Sequence, residues 1–239
     1  IIPVGVFIIR DSVKMLKILC EKYPDINMHI NISYKQVLNS NIIYDLLYII
    51  KEYNVNPKNI VCELTESGFL ENNDALKEFC YGVKENGLKI ALDDFGTGYS
   101  NFHYLAELKP DMIKIDRGFT YKALNNEYDN LLVNNVISMA HTVGIKACVE
   151  GIETKDELEK INSLFPDLIQ GYYYDMPLPV VSNKLWKPAH FKQEKRWEKL
   201  RETLSCHQSL FGIRKKMFFD KKEQHEKAYI SIGGHAVWI

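Results

Sequence analysis

Between about residues 11 and 179, short stretches rich in Ile and Val alternate with longer stretches of helical spacing. No other feature constrains the fold as strongly. Repeated strand–helix–strand order implies parallel strands joined by right-handed crossovers. Strands are expected at 27–33, 60–66, 88–94, 111–116, 145–150 and 168–171. Helices are expected at about 11–23, 40–54, 73–86, 100–108, 128–143 and 155–164. Within 40–54, Ile43, Leu46, Leu47 and Ile50 recur at i, i+3, i+4 and i+7, which makes one apolar face. A closed (β/α) barrel needs eight strands, and six are visible. The pattern fits an incomplete barrel, or a doubly wound open sheet with its ligand site at a topological switch point.

The chain has 239 residues, enough for one or two ordinary domains or for a single α/β barrel. Its composition, 46% hydrophobic and 26% charged, excludes collagen-like, mucin-like and wholly disordered chains. No apolar run approaches the ~18 residues of a membrane span. The opening IIPVGVFII has no basic flank and no small-residue cleavage site, so it does not read as a signal peptide. The sequence does not begin with Met, and a fragment or a processed product is expected. Cys20, Cys62, Cys80, Cys148 and Cys206 are scattered and form no C-x-x-C pair. That favours a reducing compartment, with Cys62 and Cys148 as small core hydrophobes. Charge divides the chain. Residues 180–239 carry 13 Lys and Arg against 6 Asp and Glu, while 1–179 carry 17 against 25. The expectation is a domain over 1–179 and a basic, partly helical tail over 180–239, with one helix at about 188–205.

Polar residues gather at the C-terminal ends of the expected strands. Asn31 ends NMHIN, Glu63 and Glu66 end IVCELTE, and Asp93 and Asp94 end LKIALDD. Lys114 and Asp116 end DMIKID, Glu150 ends IKACVE, and Gln170 ends LIQ. Parallel α/β proteins bind ligands at this end of the strands. A lone Asp such as Asp94 could equally be the N-cap of the next helix. Several convergent carboxylates need cations to sit together, and Lys114 is the cation at hand. Such oxygen-rich clusters suit hard ions such as Mg²⁺ or Mn²⁺, and adjacent Asp residues can serve a two-metal site. The run DDFGTGYS at 93–100 joins the double Asp to a loop turning at Gly96 and Gly98.

These segments together resemble the EAL-domain family, the cyclic di-GMP phosphodiesterases of bacterial second-messenger signalling. The matching segments are NIS at 31–33, ELTES at 63–67, DDFGTGYS at 93–100 and KIDRGF at 114–119. VEGIET at 149–154 and QGYYYDMPLP at 170–179 follow in the family's order. The resemblance covers about residues 1–179. It implies a TIM-like barrel with one antiparallel strand and hydrolysis of cyclic di-GMP to linear pGpG. It also implies two Mg²⁺ or Mn²⁺ ions that activate a water. By motif, Asn31, Glu63 and Asp93 match metal ligands, and Asp94 matches a ligand of the second ion. Lys114 matches a lysine that orients the attacking water, and Glu150 a general base or second-metal ligand. Gln170 matches a residue of the metal-water network, and Glu66 and Glu153 match supporting residues. Phe95, Gly96, Thr97 and Gly98 match the family's loop beside the substrate. The resemblance further implies a cytoplasmic bacterial protein, a possible homodimer, and a diguanylate cyclase or sensor domain in a longer parent.

The chain departs from the family most at its front. The Glu-Ala-Leu segment that names the family is absent, as is a nearby phosphate-contacting Arg. The two strands short of eight are then the family's first two. The barrel is expected to stay open with unpaired edges. Its first metal site would keep at most three protein ligands, and the isolated chain would be weak or inactive. The other reading is a degenerate EAL domain that acts as a cyclic di-GMP receptor or protein-interaction module. Nucleic-acid or membrane attachment through the basic tail is not expected. No binding motif accompanies its charges, and His207, His225 and His235 lack metal-ligand spacing.

Overall fold

The computed structural model describes residues 2–21, 23–65, 74–97, 105 and 108–174, together with the backbone of three short strands beyond them. Six parallel strands form its centre: β1 (Met28–Asn31), β2 (Ile60–Thr65), β3 (Lys89–Phe95), β4 (Met112–Ile115), β5 (Lys146–Glu150) and β6 (Leu168–Gln170). They lie side by side in chain order. A doubly wound sheet reverses its strand order at a switch point; this one never does. The winding is therefore that of a barrel, and six strands leave it incomplete.

Seven described helices accompany the strands: α1 (Ile2–Cys20), α2 (Tyr34–Asn39), α3 (Ile42–Tyr53), α4 (Asp74–Glu85), α5 (Arg117–Asn125), α6 (Glu127–Thr142) and α7 (Lys155–Asn162). Helix α1 begins well before its expected start at 11, because the opening apolar residues continue the helix. On α3 the buried face is Ile42, Leu46, Ile49 and Ile50. Ile43 and Leu47 are only half-buried, so the apolar stripe is rotated by about one residue from the expected one. The sequence reading missed α2 and α5, both of which are short and set by their caps. Ser33, the last residue of the NIS segment, starts α2 with a capping box shared with Gln36. Asp116 starts α5 by accepting from the amides of Gly118 (2.7 Å) and Phe119 (3.3 Å). Of the helix expected at 100–108, Leu105 and Leu108 are described, both helical and buried. The helix expected at 188–205 lies outside the described residues.

The strands' apolar residues and the facing helices bury one continuous core, which includes Cys62 and Cys148. Alternate residues turn inward to the barrel axis. His29, Val61, Lys89, Met112 and Lys146 line one cavity of about 810 Å³ at the N-terminal end of the strands. Two residues further along each of these strands come Asn31, Glu63, Ala91, Lys114 and Cys148, and Asp93 and Glu150 follow Ala91 and Cys148 at the same spacing. Period-2 alternation thus carries the inward row toward the opposite end, where the site lies.

The expected open edges are covered. Strand β7 (Phe218–Asp220) pairs antiparallel with β6, from Leu168↔Asp220 to Gln170↔Phe218. Strand β9 (His235–Trp238) pairs antiparallel with β1 at Met28↔Val237, and β8 (Tyr229–Ile232) pairs with β9. The physical reason is the row of free backbone donors and acceptors that an edge strand presents. The tail segments FFD, YISI and HAVW have the aromatic and β-branched composition that pairs with such edges. Charge drew attention to the tail as a basic helix and hid these strands.

Candidate active site

Lys114 is the centre of the site. It projects inward from β4 and is 3% exposed. Its ammonium lies 2.8 Å from Asp93 Oδ1, 2.8 Å from Glu150 Oε1 and 3.1 Å from Glu63 Oε1. Strands β2, β3, β4 and β5 each supply one member of this cluster. Burial alone would push the lysine toward neutrality, but Glu150, Glu63 and Asp93 outweigh it and hold its pKa well above the ordinary value. Burial likewise acts against the Glu63 charge. Lys114 and the hydrogen bond from His29 prevail, and the Glu63 pKa falls to about 2.

His29 is fully buried on β1, and its Nδ1 lies 2.8 Å from Glu63 Oε1. Burial lowers its pKa below the ordinary value, so the ring is neutral at pH 7 and donates from Nδ1. The sequence reading did not single it out. It stands two residues before Asn31, and period-2 alternation alone would have turned it inward.

The paired aspartates sit on a β-bulge. The β3–β4 register runs Ala91↔Met112, Leu92↔Ile113 and then Phe95↔Ile115, so Asp93 and Asp94 together face Lys114 alone. Asp94 takes a left-handed φ of 58°. In a regular strand, neighbouring side chains point to opposite faces. The bulge breaks that rule at Asp93–Asp94, the one place in the described strands where two acids are adjacent. Asp94 lies inside β3 and is exposed, so it is no helix N-cap; Asp116 has that role. Beyond the bulge the chain turns at Gly96, whose φ is 101°. A Cβ there would stand 2.2 Å from the Phe119 ring, so the DDFGT turn is seated directly on the KIDRGF segment. Phe95 is buried, its carbonyl accepts from the Asp116 amide at 3.1 Å, and Thr97 N–H closes the turn on Asp94 O at 3.3 Å.

The remaining candidates frame this cluster. Asn31 is exposed at the end of β1, in register with Glu63. Gln170 is in register with Glu150 and 5% exposed. Among the described residues, its Oε1 is buried without a hydrogen-bond partner. Glu153 pairs with Arg117 at 2.7 Å on the surface and ties the loop after β5 to the start of α5. Glu66 and Gly98 lie outside the described residues. The 810 Å³ cavity is at the opposite end of the strands from these groups and is not the mouth of this site.

The EAL domain family model matches residues 1–177. The chain belongs to the EAL domain family. The probable cyclic di-GMP phosphodiesterase PdeB of Escherichia coli (strain K12) is 35% identical over 189 residues, which are 79% of this chain and 36% of PdeB. The structure of the PaMucR phosphodiesterase in its c-di-GMP complex matches with a TM-score of 0.67 at 26% identity, covering 71% of this chain and 69% of that one. The Klebsiella pneumoniae BlrP1 structure, a manganese and cyclic di-GMP complex, shares the fold with a TM-score of 0.60 at 23% identity, covering 71% of this chain and 44% of that one. The first curated relatives are longer, and this EAL chain spans between a fifth and just over a third of their length. Among the described residues, no helix is long and apolar enough to cross a membrane.

The donors of this EAL site are all oxygen atoms, the chemistry of a hard divalent ion. Among the described residues, no group of three His, Cys, Asp or Glu side chains is placed to hold a metal ion. The Lys114 ammonium stands between the carboxylates instead. The buried, unpartnered Gln170 Oε1 adds an acceptor on the same rim. The residues fit the metal in kind, with the Lys114 ammonium among them.

The depressed Glu63 pKa has a definite sign for stability. A carboxyl lowered on folding stabilises the fold above its unfolded value near 4.5, and that contribution is lost as pH falls through about 2. Lys114, raised on folding, stabilises below its ordinary 10.5 and loses its contribution as pH rises through its folded value. Urea unfolding at pH 7, 4.5 and 2.5 without divalent ions should therefore show stability falling steeply over the acid half of that range. Glu63→Gln should flatten the fall.

Proposed function

We propose that this EAL domain is a cyclic di-GMP phosphodiesterase domain that cleaves one phosphodiester to give linear pGpG. The observation that carries the reading is the Glu63–Asp93–Lys114–Glu150 cluster, converging from four strand ends of an EAL fold. A scaffold has no physical use for three carboxylates around a buried ammonium, since apolar residues of similar volume would serve it as well or better. Relatives named as cyclic di-GMP phosphodiesterases support the substrate.

Asn31, Glu63 and Asp93 would hold a first divalent ion, with Asp93 and Asp94 at a second. Such ions, Mg²⁺ or Mn²⁺, supply Lewis-acid activation of water and neutralise phosphodiester charge. The manganese complex of BlrP1 supports this class of cofactor. Lys114 donates hydrogen bonds that orient the attacking water. Glu150 takes the water's proton as its oxygen bonds to phosphorus. The P–O3′ bond breaks, and the departing 3′-oxygen takes a proton from solvent water to become the 3′-hydroxyl. Gln170 Oε1 accepts from the water network. The turn after Phe95, with Thr97 exposed, borders the mouth where the dinucleotide would lie.

One observation favours a receptor instead: among the described residues the carboxylates are engaged by Lys114, and no group of three is placed to hold a metal ion. Turnover separates the two. Purified chain with Mn²⁺ or Mg²⁺ should convert cyclic di-GMP to pGpG, read by chromatography, and Glu63→Ala should abolish the conversion. Tight binding without pGpG would establish the receptor reading.

A further inference from the structure

We propose that His29 is the positioning residue for Glu63, fixing the carboxylate in the orientation in which it takes a divalent cation. The inference rests on the metal-dependent reading above and extends it to a residue outside the family's motifs.

Both close contacts to Glu63 fall on one oxygen. Oε1 lies 2.8 Å from His29 Nδ1 and 3.1 Å from Lys114 Nζ. Two donors on Oε1 fix the plane of the carboxylate and leave Oε2 for a further partner. The two donors come from opposite sides of β2 in the sheet order, β1 for His29 and β4 for Lys114. Lys114 divides its charge among three carboxylates, whereas the hydrogen bond of His29 Nδ1 goes to Glu63.

Position argues the same way. His29 lies at the floor of the site, where it also borders the cavity at the N-terminal end of the strands. Its strand neighbours Met28 and Ile30 are fully buried apolar residues. A buried imidazole costs desolvation that a Leu would avoid, and the hydrogen bond to Glu63 offsets that cost. Groups that orient metal-ligating carboxylates typically contribute 10–100-fold to metal affinity.

The test is Mn²⁺ titration of the full chain by electron paramagnetic resonance, a readout independent of turnover. His29→Leu should bind Mn²⁺ about 10–100-fold more weakly. His29→Asn, which can place an amide N–H near the Nδ1 position, should stay within a few-fold of the unsubstituted chain. Equal affinity in the Leu variant would overturn the proposal, as would an Asn variant as poor as Leu. Glu63→Ala is the control for the underlying reading. If it loses Mn²⁺ and His29→Leu does not, only the positioning role fails. If Glu63→Ala binds normally, or the unsubstituted chain binds no Mn²⁺, the metal reading fails and takes the positioning role with it. Nitrogen-15 NMR of the unsubstituted chain covers the case in which His29→Leu does not fold. A neutral ring protonated at Nδ1, with a resonance that shifts in Glu63→Gln, is expected. A ring protonated at Nε2 alone would overturn the proposal.

Discussion

Replacing Lys114 with Met should lower the unfolding free energy by about 3–5 kcal/mol at pH 7 without divalent ions, the usual cost of removing one partner from a buried ion pair. For a chain of this size that is a fall in Tm of roughly 6–20 °C. The argument rests on three carboxylates, Glu63, Asp93 and Glu150, whose only shared cation within 3.1 Å among the described residues is this ammonium. Met fills the aliphatic space but leaves the negative charges facing one another in a low-dielectric interior. Some of them would take up protons, so the loss should shrink as pH falls. Mn²⁺ should restore part of it, because the freed oxygens then offer a cation site that the unfolded chain lacks. Urea unfolding with and without Mn²⁺ reads both effects. A variant as stable as the original would mean that the ammonium does not sit among the carboxylates in solution. Turnover should be lost with or without Mn²⁺, since no group remains at 114 to orient the water.

The second large effect is expected at Gly171, immediately after Gln170. A Cβ there would stand 1.8 Å from the Ile152 carbonyl oxygen and 2.4 Å from the Ile152 nitrogen. Both neighbours are backbone and cannot turn aside as a side chain would. The same stretch holds two backbone hydrogen bonds, Ile152 N–H to Gln170 O at 3.2 Å and Tyr173 N–H to Ile152 O at 3.0 Å. Gly171→Ala must separate the end of β6 from the loop after β5. The overpacking cost should reach about 3 kcal/mol, or roughly 6–12 °C in Tm. Gln170 and Glu150 pair in register just before the break, so the separation should also spread the rim of the site. Thermal unfolding and turnover should therefore fall together. A normal Tm would show that the backbone approach is looser than described.

The parts legible in the sequence were those that one periodicity governs. Short Ile- and Val-rich stretches alternating with helical spacing gave all six parallel strands to within two residues, and the polar groups at their ends gave Glu63, Asp93, Lys114, Glu150 and Gln170. What was missed depends on contacts between distant segments. Helices α2 and α5 are too short to show a stripe and exist because Ser33 and Asp116 cap them. The bulge at Asp93–Asp94 appears only when β3 is laid against β4. His29 reads as one polar residue in an apolar strand until Glu63 is placed beside it. The tail strands were hidden because composition reported their charge, whereas pairing with β1 and β6 is a property of the sheet.

The bulge in β3 also bears on how such a chain changes under selection. Stabilising substitutions are easy to find wherever function holds a structure away from its most stable sequence. Selection for folding alone would favour Gly at 94, where the backbone is left-handed, and apolar residues in place of the charges at 63, 114 and 150. The chain carries Asp, Glu, Lys and Glu at these positions. All four run against the direction in which stability would drift. A laboratory selection for thermostability, blind to cyclic di-GMP, should find Asp94→Gly early and should accept apolar residues at 63, 93, 114 and 150 only when the whole charge cluster is replaced together; the variants it enriches should be sturdier barrels with emptied mouths.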